Sequence, residues 1–199
     1  MLFFKRSLFL ILFVFLGGES FSQPDSSFYQ VGDTVPSFSG VDQFDDTLNI
    51  EDYLNEQPVL LVFYRGHWCP YCSRHVSEIH DSFEKLKSKN VKVILVTPEQ
   101  PEYAQKMIDS KEITYSVVAD NDLSIINLFH LGFEVNDSTV TSHYSFVAKK
   151  SAEANGNEAP VLPVPATYLI GKDGVIKYVH YDKNYKERSN IKELIELIE

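Results

Sequence analysis

Short apolar runs alternate with amphipathic stretches along much of the chain. The segments "PVLLVFY" (58–64) and "VKVILVTP" (91–98) are largely apolar, rich in β-formers and too short for typical helices, so we expect strands buried on both faces. The shorter run "TYSVVAD" predicts a third strand. Each run precedes a helical pattern: Val76, Ile79, Phe83 and Leu86 after the first, "PEYAQKMIDSK" after the second and "DNDLSIINLFHLG" after the third.

The third of these helices has recognisable end signals, whereas the segment after it has none. Asp120 or Asp122 can act as the N-cap, and Gly132 can end the helix. Residues 133–163 are mostly polar and lack a sustained hydrophobic period. We interpret them as an insertion or loop that carries a short strand near "HYSFVA" (143–148) and no chemistry.

The two ends of the folded part have β-hairpin patterns. "SFSGVDQFDDTLN" (37–49) predicts a weak hairpin, and "ATYLIG", "KDG" and "VIKYVHY" (166–181) predict an antiparallel hairpin around an Asp-Gly turn. A last helix, "NIKELIELIE", carries Ile191, Leu194, Ile195 and Ile198 on one face. The fold class is therefore α/β, with a central mixed sheet flanked by helices and an N-terminal hairpin extension.

The first residues have the layout of a secretory signal peptide. Lys5 and Arg6 precede the apolar block Leu8 to Leu16, and small residues Ser20 and Ser22 follow it. A membrane anchor is the competing interpretation, but nine helical residues span only about 14 Å of a hydrocarbon layer that is about 30 Å thick. We therefore expect a signal peptide at 1–22, an N-terminal segment at 23–36, one domain at 37–199, and a periplasmic or secreted protein without a stable membrane anchor.

Charge and length limit the possible partners. The chain has 199 residues and a formal net charge of −10, and it shows no basic stripe, so binding to nucleic acid is not expected. In an exported protein, the thiols of Cys69 and Cys72 can form a persistent disulfide.

These two cysteines, in "VFYRGHWCPYCSRH", allow three interpretations. A structural disulfide would close a four-residue loop and constrain the unfolded chain by only about 2 kcal/mol. A zinc or copper site could add His67 or His75, but the sequence contains no second ligand pair with recognisable spacing. The pattern favours the third interpretation, a redox pair that needs no metal or other cofactor, while a metal carrier remains an alternative.

The position of the pair at a helix start suggests a role for each thiol. Pro70 predicts that the helix opens next to Cys69, where free N–H groups and the helix dipole lower a thiol pKa. Arg65 and His67 can add positive charge. We therefore expect Cys69 to be the nucleophile and Cys72, one turn later, to be the more shielded resolving thiol.

Two motifs carry a family resemblance. "FYRGHWCPYC" and "VPATYLIGKDGVIKYVHYDKNYKERS" resemble the peroxiredoxin-like branch of the alkyl hydroperoxide reductase/thiol-specific antioxidant (AhpC/TSA) superfamily. The resemblance implies a thioredoxin-like fold and an enzyme that reduces peroxides or disulfides and is recharged by a thiol reductant. It also implies that Trp68 shields one thiol, that Pro165 is a cis-proline facing the cysteines, and that Arg188 orients an anion or peroxide.

The chain departs from the peroxiredoxin pattern P-x-x-x-[TS]-x-x-C. Counted back from Cys69, the proline and hydroxyl positions hold Val62 and Gly66; counted back from Cys72, they hold Arg65 and Cys69. Neither register supplies the hydroxyl, which weakens the peroxidase interpretation. "WCPYC" also resembles the active sites of glutaredoxins and of TlpA-like disulfide reductases, so a TlpA-like protein disulfide reductase is the alternative function.

Overall fold

The computed structural model describes residues 28–136, 144–157 and 160–198. The strands in these ranges are β1 (Ser39–Val41), β2 (Thr47–Asn49), β3 (Val59–Phe63), β4 (Lys92–Thr97), β5 (Ser116–Ala119), β6 (Gly132–Glu134), β7 (Val161–Pro163), β8 (Ala166–Ile170) and β9 (Ile176–Tyr181). The helices are α1 (Pro70–Asp81), α2 (Phe83–Ser88), α3 (Pro101–Lys111), α4 (Ser124–Leu128), α5 (Tyr144–Asn155) and α6 (Ile191–Glu196).

A mixed five-stranded sheet forms the centre of the fold, in the order β5-β4-β3-β8-β9. β3 pairs in parallel with β4 and antiparallel with β8, with Phe63 opposite Val96 on one side and Ala166 on the other. β4 and β5 are also parallel, while β8 and β9 form the predicted antiparallel hairpin. The predicted fold class is confirmed.

Two apolar layers cover the two faces of this sheet. One layer contains Val76 and Ile79 of α1, Met107 of α3 and Leu194 of α6. The other contains Ile125 of α4 and side chains of the N-terminal hairpin region, including Phe38, Leu48 and Ile50. Because both faces are covered, every residue of β3 is buried, which explains its continuous apolar sequence.

Three local predictions need correction. The helical stripe Val76 to Leu86 is split at Ser82 into α1 and α2. Gly132 does not end α4: the helix stops at Leu128, His130 takes the left-handed conformation with φ of 55°, and Gly132 begins β6. The predicted N-caps are partly right: Leu123 directly precedes α4, but Asp122 accepts a hydrogen bond from the Ser124 amide, and Asp120 accepts from the amides of Ile125 and Ile126.

The segment 133–163 differs most from the prediction. "SFVA" lies in helix α5 and forms no strand, and β6 and β7 pair with each other on either side of this helix. The alanine, lysine and glutamate residues at 148–154 favour a helix. Burial of Ala154 and Ser151 against the protein adds tertiary stabilisation that the weak hydrophobic period did not reveal.

The predicted signal peptide at 1–22 lies outside the described residues. Among the residues that are described, no helix has the length and apolar character needed to cross a membrane. The domain boundaries at 22/23 and 36/37 stay predictions.

Candidate active site

The two cysteines lie where the central strand β3 gives way to helix α1. Cys69 is the N-cap of α1 and Pro70 its first residue, as the sequence predicts. The Cys69 amide donates to the carbonyl of Gly66 at 3.2 Å, which closes the turn between strand and helix. Both residues are free thiols and both are buried: Cys69 is 2% exposed and Cys72 is 0% exposed.

The surroundings of the pair favour negative charge on Cys72. Burial alone would raise its pKa, but a hydrogen bond from Cys69, the charge of Arg188 and a backbone hydrogen bond from Arg65 together lower it to about 6. The Arg188 Nη2 atom lies 3.5 Å from Cys72 Sγ. Cys69 has the opposite shift, because its hydrogen bond to Cys72 and its burial raise its pKa above the ordinary value.

This direction is the reverse of the one predicted from the sequence, in which Cys69 carries the lowered pKa. Both thiols are close to the start of α1, so its dipole does not separate them strongly. The hydrogen bond from Cys69 lowers the pKa of Cys72 most, and the Arg188 guanidinium and the Arg65 backbone add to this effect. The positive groups around the pair therefore favour negative charge on Cys72 over negative charge on Cys69.

Hydrogen bonds hold the Arg188 side chain and the neighbouring Ser189 in place. Its guanidinium donates to the carbonyl oxygens of Tyr185 and Glu187 as well as to Cys72. The neighbouring Ser189 hydroxyl lies 2.9 Å from His75 Nε2 and donates to Thr167 Oγ1 at 3.0 Å. Arg188 therefore lies next to a cysteine thiol, where the family resemblance predicts that it orients an anion or peroxide.

His75, named above as a possible metal ligand, is buried in α1, and its Nε2 lies 2.9 Å from the Ser189 hydroxyl. It is 2% exposed. Burial lowers its pKa to about 3, with a further contribution from the charge of Arg188, so the ring is neutral at physiological pH. Within the described ranges, no three His, Cys, Asp or Glu side chains are grouped in a way that could hold a metal ion.

Aromatic rings surround the second arginine of the site. Arg65 is only 3% exposed, and its Cζ lies 5.2 Å from the Trp68 ring centroid and 4.6 Å from that of Tyr185. Tyr185 also contacts Tyr71 edge to face at 5.5 Å. The structure thus brings Arg65 and Trp68 to the cysteine turn and adds Tyr185 and Tyr71, which the sequence did not indicate.

A buried carboxylate that the sequence analysis missed lies beneath the same turn. Glu99 is 0% exposed and accepts hydrogen bonds from the His67 amide at 3.0 and 3.1 Å, while His67 Nδ1 lies 2.6 Å from Oε1. Burial raises the pKa of Glu99, although its contacts with His67 partly offset this effect. The sequence contained a signal for this position, because Glu99 lies two residues after β4, which pairs in parallel with β3. The carboxyl ends of adjacent parallel strands meet at one edge of a sheet, so Glu99 could have been expected near the turn that follows β3.

Gly66 allows this close approach and gives a testable prediction. Its φ is +149°, and a Cβ there would lie 2.5 Å from Trp68 Nε1 and 2.8 Å from Glu99 Oε1. We expect Gly66→Ala to lower the free energy of unfolding in urea by about 1–3 kcal/mol. Gly32→Ala is the matched control, because Gly32 also has a positive φ, +99°, but a Cβ there meets nothing within 4 Å. Equal losses in the two variants would contradict the close packing.

Pro165 directly precedes β8 but does not have the predicted conformation. No peptide bond among the described residues is cis, so the expectation of a cis-proline is wrong. Val164 and Pro165 connect β7 to β8, and the Val164 amide donates to the Leu131 carbonyl at 2.8 Å. The Val164–Pro165 bond is therefore trans, the form that most X-Pro peptides prefer. Pro165 directly precedes Ala166, the sheet partner of Phe63 at the end of β3.

Comparison with known proteins agrees with this geometry. The family model described as "AhpC/TSA family" matches residues 31–179. The chain belongs to the AhpC/TSA family. Its relatives include Peroxiredoxin Bcp of Escherichia coli K12, 25% identical over 100 residues that cover 50% of this chain and 64% of Bcp, just under two thirds of that protein's length. Another is the thiol-disulfide oxidoreductase ResA of Bacillus cereus, 23% identical over 180 residues and 86% of each chain.

Solved structures place the fold of this AhpC/TSA family member among the peroxiredoxins. A cysteine-to-serine mutant of PrxQ from Xylella fastidiosa superposes with a TM-score of 0.66 at 17% identity, over 85% of this chain and 95% of PrxQ. Peroxidoxin BcpB from Mycobacterium tuberculosis gives a TM-score of 0.63 at 15% identity, over 84% and 95% of the two chains. These superpositions confirm the predicted thioredoxin-like fold, and the family match over residues 31–179 confirms the superfamily.

Proposed function

We propose that this protein is a thiol oxidoreductase that reduces peroxides with the redox pair Cys69 and Cys72. The observation that carries the proposal is the 3.5 Å contact between Arg188 Nη2 and Cys72 Sγ inside a buried C-x-x-C turn. A thiolate is the nucleophilic form of cysteine, and a guanidinium beside it can also orient a peroxide oxygen. No cofactor or metal is needed for this chemistry.

The proposed reaction reverses the roles that the sequence suggested. The Cys72 thiolate attacks one peroxide oxygen, the O–O bond breaks, and the leaving alkoxide takes up a proton to depart as an alcohol, or as water from hydrogen peroxide. Cys72 is then a sulfenic acid. The sulfur of Cys69 attacks it, the S–O bond breaks, and the proton of Cys69 leaves with the hydroxide as water. A thiol reductant, which is not yet identified, returns two electrons to the resulting disulfide.

Burial of the pair favours a small substrate. Neither thiol is more than 2% exposed, so hydrogen peroxide or a small hydroperoxide can reach Cys72 with less rearrangement than a protein disulfide requires. In the peroxiredoxin pattern, a hydroxyl stands three residues before the reactive cysteine. Here the Cys69 thiol occupies that place and forms a hydrogen bond with Cys72, so a sulfur donor replaces the oxygen donor.

Reduction of protein disulfides is the second candidate. It is favoured by the C-x-x-C arrangement at the start of α1 and by relatives described as thiol-disulfide oxidoreductases. Stopped-flow kinetics of the reduced protein with hydrogen peroxide, compared with its rate of reducing a protein disulfide, separates the two. We expect the peroxide rate constant to be larger. A larger disulfide rate constant would favour the TlpA-like alternative, and stoichiometric zinc or copper without redox turnover would favour a metal carrier.

We also propose that the protein is exported and that residues 1–22 are removed. The support is the order of basic, apolar and small residues at the N-terminus. The mature chain is expected to begin near Gln23 and to appear in the periplasmic or secreted fraction. N-terminal sequencing after fractionation tests this, and an intact Met1 in the membrane pellet would mean that the apolar block is an anchor.

A further inference from the structure

The segment that brings Arg188 to Cys72 has no regular secondary structure. Residues 182–189 follow β9, and within the described ranges none of them forms a backbone–backbone hydrogen bond with another helix or strand. The two carbonyl groups that accept hydrogen bonds from the Arg188 guanidinium, those of Tyr185 and Glu187, belong to this same segment. The position of the segment therefore depends on side-chain contacts with the rest of the domain.

Ser189, the residue after Arg188, makes two such contacts. It is buried, and its hydroxyl donates to Thr167 Oγ1 at 3.0 Å and lies 2.9 Å from His75 Nε2. Both partners are also buried and belong to regular elements: Thr167 lies in β8, opposite Val62 of β3, and His75 lies in α1. Ser189 thus attaches the segment to the central sheet and to the helix that carries Cys72.

The contacts of Arg188 and Ser189 with α1 are adjacent on both sides. Cys72 and His75 are three residues apart in the helix, so their side chains are neighbours on one face. Arg188 Nη2 lies 3.5 Å from Cys72 Sγ, and Ser189 Oγ lies 2.9 Å from His75 Nε2. Because one peptide unit joins Arg188 to Ser189, a movement that breaks the second contact also changes the first.

We propose that His75 is a positioning residue for the proposed reaction: through its hydrogen bond with Ser189, it holds Arg188 within reach of the Cys72 sulfur. This inference rests on the proposed function. A donor that is already in place contributes most, because it does not have to be reoriented during the reaction. Burial lowers the pKa of His75 to about 3, so its ring is neutral at neutral pH and its replacement removes no charge near Cys72.

Titration of Cys72 in the reduced protein tests this role without peroxide. The thiolate is followed by its ultraviolet absorbance over pH 4–9, and the signal of the matching Cys72→Ser protein is subtracted. His75→Leu keeps a side chain of similar size but removes the hydrogen bond. The thiolate then loses part of its contact with Arg188, so we expect its midpoint to move upward by about 0.5 to 1 pH unit. His75→Gln retains a side-chain N–H donor and should return the midpoint to within about 0.3 unit of wild type.

Combination with Arg188→Ala separates positioning from a general loss of stability. His75→Leu should lower the rate constant for hydrogen peroxide by about 5- to 20-fold in the wild-type background. In the Arg188→Ala background it should lower that rate constant by less than about twofold, since the residue it positions is absent. Ser189→Ala removes the same hydrogen bond from the other side and should reproduce both effects. Ser151→Ala is the matched control: Ser151 is also buried, but it donates within α5, so neither rate nor midpoint should change.

The outcomes distinguish this role from the proposed function. Thermal unfolding identifies the variants that fold, and Ser189→Ala replaces His75→Leu if the latter does not. An unchanged midpoint in the folded variants would overturn the inference, and so would a loss of rate that is equally large in the Arg188→Ala background. If wild type titrated at Cys72 but did not react with peroxide, the proposed function would fail, and the midpoints would still show whether His75 positions Arg188.

Discussion

Replacing Cys72 with serine will abolish the reaction with hydrogen peroxide, whereas replacing Cys69 with serine will leave the first oxidation largely intact. Arg188 and the Arg65 backbone direct their hydrogen bonds to Cys72, whose pKa is lowered to about 6. Cys69, with a raised pKa, carries little thiolate. In Cys69→Ser, the hydroxyl can still donate to Cys72, so we expect a rate constant within about tenfold of wild type.

The same argument predicts how the rate of the reaction with peroxide changes with pH. Because the thiolate reacts, the rate with peroxide should rise as pH increases through about 6 and level off above it. Cys69→Ser should accumulate a Cys72 sulfenic acid that a dimedone probe labels, since no resolving thiol remains. A Cys72→Ser variant that reacts rapidly while Cys69→Ser does not would restore the roles predicted from the sequence.

Both cysteine variants should remain folded, which makes the comparison interpretable. A disulfide across a four-residue loop constrains the unfolded chain by only about 2 kcal/mol. Cys72→Ser should therefore keep a cooperative thermal transition close to that of wild type. If both serine variants abolished folding, the pair would be a structural disulfide and the redox account would fail.

Replacing Arg188 with alanine will lower the rate constant for peroxide by about 100-fold. The variant loses a charge-assisted hydrogen bond to the thiolate and the group that we expect to orient the peroxide. The pKa of Cys72 should also rise toward its ordinary value of about 8.5, so the midpoint of the pH profile should move upward. Arg188→Lys should lie between the two, since lysine restores the charge without the planar fork.

Lys186→Ala is the matched control for this prediction. Lys186 carries the same charge in the same segment, but its Nζ lies 6.0 Å from the Tyr71 ring and the residue is exposed. We expect its rate constant and pH midpoint to match those of wild type in stopped-flow assays. An alanine variant of Arg188 with an unchanged rate and midpoint would remove the main electrostatic argument for Cys72 as the nucleophile.

Much of the fold could be predicted because its elements depend on local patterns. β3 and β4 are continuous apolar runs, and the β8–β9 hairpin surrounds an Asp-Gly turn, so period and turn chemistry are sufficient. Helix α5 was missed because its burial comes from contacts at Ser151 and Ala154 that no local period reveals. Gly132 was misplaced because His130 adopted the left-handed conformation instead.

Local residue patterns predicted only the part of the site that lies in one segment, whereas Arg188 was expected from the family resemblance alone. Cys69, Cys72, Arg65 and Trp68 come from one short segment, and the structure keeps them together. The roles of the two thiols depend on Arg188, which lies 116 residues away from Cys72 in the chain.

Other parts of the site depend on tertiary packing in the same way. Glu99 lies 32 residues from its partner His67, and His75 meets Ser189 over 114 residues. Such contacts arise from packing between distant elements, which a single sequence does not encode in any local pattern.

The most direct test of the central claim is the product of one peroxide equivalent. Fully reduced protein should be mixed with equimolar hydrogen peroxide, quenched with an alkylating agent and digested for mass spectrometry. The account predicts a peptide in which Cys69 and Cys72 form an intramolecular disulfide, lighter by two hydrogen atoms than the reduced peptide and free of alkylation. Recovery of both cysteines as alkylated thiols, with peroxide unconsumed, would contradict the proposal that this pair is the redox centre.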